Sequence, residues 1–154
     1  MEKLASHPGS KKYNSPLHRL ADDTKATDNR NKMCELAVAE WNPFPDAIGP
    51  SCDEYPFAKS RESGGMTLAS GKSCAQMYAV QNADDTYTLK LDPNYAYPTW
   101  NEVCGRAAIT ASQNTAAGGA LGRFTKNVRL LDRDAHYVQS GYESCDLSGV
   151  CDFS

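Results

Sequence analysis

Six cysteines in a chain of 154 residues, at positions 34, 52, 74, 104, 145 and 151, constrain the fold more than any other feature. Disulfides persist where the compartment is oxidising and are rare where thiols are kept reduced. The density of cysteine therefore predicts a cross-linked, extracellular domain. A metal-site reading of the same residues has little support. There is no Cys-x-x-Cys, and none of His7, His18 and His136 stands at zinc-ligand spacing from a cysteine pair. Six cysteines admit 15 pairings. Our expectation among them is Cys34–Cys52, Cys74–Cys104 and Cys145–Cys151, each contributing about 2–4 kcal/mol by closing a loop.

The length predicts one domain. Residues 1–15 are polar and read as a loose arm, 16–139 as the folded body, and 140–154 as a tail tied down by the last cysteine pair. No apolar run is long enough to span a membrane. Met1-Glu2-Lys3-Leu4 leads into polar sequence rather than a signal peptide. With six cysteines beside it, that start fits a mature or excised domain whose Met1 was added.

Along the body, Pro16 to Lys25 reads as a short helix. A second is expected over 29–40 behind an N-cap at Asp28, with Met33, Leu36, Ala37 and Trp41 facing the core. Pro43, Pro45 and Pro50 break structure before residue 51. Gln76–Gln81 and Thr86–Leu91 alternate as strands around the turn 82–85, giving a hairpin. Tyr95, Tyr97 and Trp100 follow in a loop and are expected to pack under it. Val103–Ala111 reads as a strand. It leads into a helix that starts at Ser112-Gln113-Asn114 and runs to about Asn127. Gly118, Gly119 and Gly122 weaken that helix and suggest close approach of another backbone or of a phosphate. Leu130–Gln139 holds the last strand.

The chemically dense stretch is Ser51-Cys52-Asp53-Glu54-Tyr55-Pro56-Phe57-Ala58. Neighbours on an extended chain point to opposite faces. Asp53 and Glu54 therefore share one surface only if the backbone bends. Glu62, nearby, is within reach of a metal but reads first as a solvated acid. The formal charge of −3 gives no sign of nucleic acid binding, so any positive field must be local. One local field exists: Arg106, Arg123, Lys126, Arg129 and Arg133 face the single acid Asp132 in their stretch.

This block, with Gly64-Gly65, the run from Ser112 to Phe124 (Ser-Gln-Asn-Thr-Ala-Ala-Gly-Gly-Ala-Leu-Gly-Arg-Phe) and Leu131-Asp132-Arg133-Asp134-Ala135-His136-Tyr137-Val138, resembles the NucA/NucB family of small secreted deoxyribonucleases. The resemblance runs from about Pro16 to Gln139. It implies an α+β fold with a small antiparallel sheet, packed helices and a ββα-metal-like core held by disulfides. It implies hydrolysis of DNA without sequence preference, with RNA as a further substrate to test. No membrane partner is expected, and the protein should be a monomer. If it is a toxin domain, an immunity or inhibitor protein belongs to its producer.

The resemblance also assigns roles. Related ββα-metal nucleases place a histidine base where this chain carries Ser51-Cys52-Asp53-Glu54, so the base becomes Glu54, with Asp53 as the alternative. Asn114 matches the metal-binding asparagine, and Gln113 sits where relatives often carry a carboxylate. These oxygen donors suit Mg²⁺ or Mn²⁺, with Ca²⁺ a further candidate. Arg106, Arg123, Lys126 and Arg129 are the expected phosphate contacts. His18 and His136 are lone histidines that fit leaving-group protonation less well. The competing reading is a non-enzymatic, cystine-rich module with a degraded site, which the missing histidine and Gln113 would favour.

Overall fold

The computed structural model describes residues 3–34, 51–84 and 87–139. The chain runs β1 (Leu17–His18), α1 (Asp23–Cys34), β2 (Ser51–Tyr55), β3 (Ala75–Gln81), β4 (Tyr87–Leu91), β5 (Gly105–Ile109), α2 (Ala111–Asn127) and β6 (Ala135–His136). The expected α+β class holds. Four strands form one sheet in the order β2-β5-β3-β4, and β1 pairs with β6 in a second, two-stranded one. The β2–β5 and β3–β4 ladders are antiparallel as expected, and β3–β5 is parallel.

The expected helix over 16–25 is instead a short strand: Leu17 pairs with His136 and His18 with Ala135. Leu17 and Leu20 are buried as a helical face would have them, whereas Ala21, expected beside them, is exposed. Helix α1 begins at Asp23. The Asp22 carboxylate accepts the N–H of Lys25 at 3.0 Å, and its carbonyl accepts that of Ala26. Asp22 is thus the N-cap, and Asp28, the expected cap, lies inside the helix. The two acids offer the same local signal, and tertiary packing chooses between them. Helix α2 matches its expected span. Thr110 caps it, and Gln113 reaches back to the Thr110 backbone in a capping box.

Cys34–Cys52 and Cys74–Cys104 are disulfides, as expected. The proposed Cys145–Cys151 pair lies outside the described residues, as do Leu36, Ala37 and Trp41. Residues 3–15, expected to be loose, are packed down. Leu4 is 2% exposed. The Tyr55 hydroxyl donates to the Pro8 carbonyl, and the Val138 N–H donates to Gly9.

The core has two centres. Leu4, Leu17, Tyr55 and Ala75 form one, with Phe57, Trp100 and Val138 against them. Met33 and the Cys74–Cys104 pair form the other, with Leu68 beside them. Trp100 packs as expected, and Tyr97 stays 81% exposed. No helix among the described residues is long and apolar enough to cross a membrane.

Candidate active site

Strand β2 lies at the edge of the sheet, with α1 against one face and α2 against the other. Its alternation sorts the motif. Cys52 and Glu54 share the α1 face: Cys52 is bonded to Cys34, and the Cys34 sulfur lies 3.3 Å from Glu54 Oε2. Ser51 and Asp53 share the other face, where Asn114 of α2 donates to Ser51 Oγ at 2.9 Å. The two carboxylates therefore point to opposite sides, as the sequence requires. Both still reach one cleft of 1040 Å³, because among the described residues no further strand covers that edge.

Burial pushes the Asp53 carboxyl up to about 6, against the opposing pull of the Arg30 guanidinium. Burial pushes Glu54 further, to about 7; the Asp53 charge adds to the rise, while Arg30 and backbone N–H groups oppose it. A carboxylate that titrates near neutrality is a competent general base there.

Asn114 lines the same cleft. Its amide nitrogen donates both to Ser51 Oγ and to the Cys52 carbonyl, the latter at 2.7 Å. With the nitrogen so occupied, its oxygen is left for a ligand, on the face that carries Asp53. Two hard oxygen donors on one face fit a divalent cation such as Mg²⁺, which needs few protein ligands. Gln113 is not brought to the cleft. Its side-chain oxygen accepts from the Thr110 N–H at 3.2 Å and from the Thr110 hydroxyl at 2.9 Å. It is the N3 member of the capping box that starts α2. Cys34, Cys52 and Glu54 crowd together closely enough to suggest a metal site. Both sulfurs are spent in the disulfide, so no thiolate is present to bind one.

The expected cations divide. Lys126 and Arg129 line the cleft. Arg123 is exposed on α2, outside the cleft lining. Arg106 is a correction: it is 1% exposed, cross-strand from Glu54 on the inward α1 face. Its Nε donates to Gln76 Oε1 at 2.8 Å, Nη1 to the Met33 carbonyl at 2.9 Å and Nη2 to the Tyr95 hydroxyl at 3.2 Å. A buried guanidinium needs such partners, and these commit it to joining α1 to the sheet.

Glu62 is half-buried, paired with His18 and outside the cleft lining. It accepts from the His18 N–H at 2.8 Å and meets His18 Nδ1 at 2.7 Å. His18 does not line the cleft, but His136 does. His136 is 7% exposed, neither ring nitrogen has a partner among the described residues, and burial holds it below its ordinary value, favouring the neutral ring. The cleft also holds Arg30, which no motif in the sequence singles out. The signal was available: Arg30 stands one helical turn before Cys34, whose expected partner is Cys52.

The sequence model of the deoxyribonuclease NucA/NucB family matches residues 5–90. The chain belongs to this family. The matched span carries Cys52, Asp53 and Glu54 and ends before Asn114. The approach of α2 to the acidic strand, expected from the resemblance, lies outside the matched span and is seen in the structure. Searches of curated proteins and of solved structures find no significant match.

Proposed function

We propose that this NucA/NucB-family protein is a metal-dependent endonuclease that hydrolyses DNA phosphodiester bonds without sequence preference. The observation that carries this reading is the convergence of Asp53, Glu54 and Asn114 on one cleft from a strand and a helix 60 residues apart in sequence. Glu54 is the general base and takes a proton from the attacking water. Asp53 and the Asn114 oxygen hold the divalent metal. When bound, that metal neutralises charge on the phosphoryl oxygens and stabilises the leaving alkoxide. Lys126 and Arg129 contact backbone phosphates along the cleft, and such contacts give salt-dependent, sequence-independent affinity. Family membership and two disulfides support work outside the cell.

The test is degradation of plasmid DNA by the oxidised protein with Mg²⁺, with Mn²⁺ and with EDTA, beside Glu54→Gln. Cutting should require metal and fall by about 10²–10⁴-fold in the variant. A folded protein that fails to cut with every metal tried supports instead a non-enzymatic binding module.

A further inference from the structure

Asp53, Glu54 and a DNA phosphate are all anionic, so the site needs a fixed cation besides the metal. Arg106 cannot serve, because its guanidinium is turned into the interior. Five other cations line the cleft: Arg19, Arg30, Lys59, Lys126 and Arg129. Arg19 is engaged by the Leu130 carbonyl and Lys59 by Asp23 at 2.7 Å. Arg30 carries no hydrogen bond or ion pair among the described residues.

Its placement is specific. Asp23, Ala26, Thr27 and Arg30 all line the cleft, at the i, i+3, i+4 and i+7 spacing of one helix face. Cys34, one turn further on, is covalently bound to Cys52, which adjoins Asp53 in β2. The disulfide therefore holds the Arg30 turn of α1 against the strand that carries both carboxylates. Arg30 is also the one cation whose charge acts on Asp53 and Glu54 together. An exposed arginine on a helix is ordinarily solvated and interchangeable. This one is aimed into the site by a cross-link and left without a partner there.

We propose that Arg30 is a further catalytic residue, whose guanidinium binds the non-bridging oxygens of the scissile phosphate and stabilises the charge that builds on them in the transition state. The planar fork of arginine matches two phosphate oxygens, and a lysine offers only a point charge. The proposal rests on the endonuclease reading above.

The experiment compares steady-state cleavage of a short DNA duplex, with saturating Mg²⁺, by the wild type, Arg30→Ala, Arg30→Lys and Glu54→Gln. Arg30→Ala should lower kcat by about 10²–10³-fold, the range for removing one preorganised donor to transition-state charge, with a much smaller change in KM. Arg30→Lys should recover only part of the loss. Millimolar guanidinium ion should restore cutting to Arg30→Ala and leave Glu54→Gln unchanged. The melting temperature of Arg30→Ala at pH 4 should equal that of the wild type, since the Arg30 charge supports Asp53 and Glu54 only when they are ionised. Wild-type kcat in Arg30→Ala overturns the proposal. So does a rise in KM alone, which would make Arg30 a peripheral phosphate contact, and so does a loss that guanidinium cannot rescue. If Glu54→Gln abolishes cutting while Arg30→Ala retains it, only this inference fails. If the wild type itself does not cut, the endonuclease reading fails and takes this inference with it.

Discussion

The two helices that flank β2 are attached to it in opposite ways. Helix α1 is stapled by Cys34–Cys52 and buries Ala26, Asn29, Met33 and Cys34. Helix α2 is longer, buries no residue, and reaches β2 through the Asn114 amide. The glycines tell the same story. A Cβ on Gly71 would stand 1.9 Å from the Met33 carbonyl oxygen, and one on Gly65 2.4 Å from Asn29 Cα, so α1 rests directly on backbone. A Cβ on Gly118 or Gly122 would meet nothing within 4 Å, although both glycines line the cleft. The close approach to another backbone expected of the α2 glycines is thus not made, and a Cβ on Gly119 would meet only the Arg123 side chain, at 3.4 Å. One wall of the site is fixed and holds Glu54 and Arg30; the other is bare and leaves room for a strand of nucleic acid.

Breaking the fixed wall should have the largest effect. Replacing Cys34 and Cys52 together by serine should cost about 3 kcal/mol in denaturant unfolding and also lower kcat, because Glu54 and Arg30 lose their common support. The same change at Cys74 and Cys104 should cost a similar stability and leave kcat near wild type at temperatures where the protein is folded. Equal kcat losses in the two double variants would remove the distinction between the walls. Gly71→Ala comes next. It should destabilise by roughly 1–3 kcal/mol, because the new methyl cannot fit against the Met33 backbone.

The carboxylates give a smaller effect with a definite sign. Folding raises Glu54 from 4.5 to about 7, so the folded state holds its proton more tightly than the unfolded chain. Stability is then greatest with the carboxyl neutral, below the ordinary value, and is lost as the pH rises through about 7. Glu54→Gln should therefore raise the melting temperature of the metal-free protein at pH 8 and leave it unchanged at pH 4, by about 2–4 °C per kcal/mol recovered. The variant that loses activity is expected to gain stability. An equal shift at both pH values would show that charge burial is not the cause. The smallest effect belongs to the bare wall. Gly118→Ala should stabilise by about 0.5–1 kcal/mol through helix propensity alone, read from the midpoint of urea unfolding. A loss of stability would mean that α2 packs more closely than its open face indicates.

Much of this site was legible in the sequence, because much of it is local. The alternation that separates Asp53 from Glu54, the hairpin 75–91 and the span of α2 depend on residues a few positions apart. The two observed disulfides join cysteines adjacent in the sequence order of cysteines. Gln113 shows where local reading stops. Three residues after Thr110, it had a capping role written in the sequence, but the metal pattern claimed it first.

What only the tertiary structure decided is which side each group faces. Arg106 reads from the sequence as a phosphate contact, and its register opposite Glu54 on β5 turns it toward α1 and into the interior. Arg30 belongs to no motif, and a cross-link one turn away turns it into the cleft. The two arginines carry the same charge and the same local signal. Strand register and loop closure between distant segments set the difference, and neither is contained in the neighbourhood of a single residue.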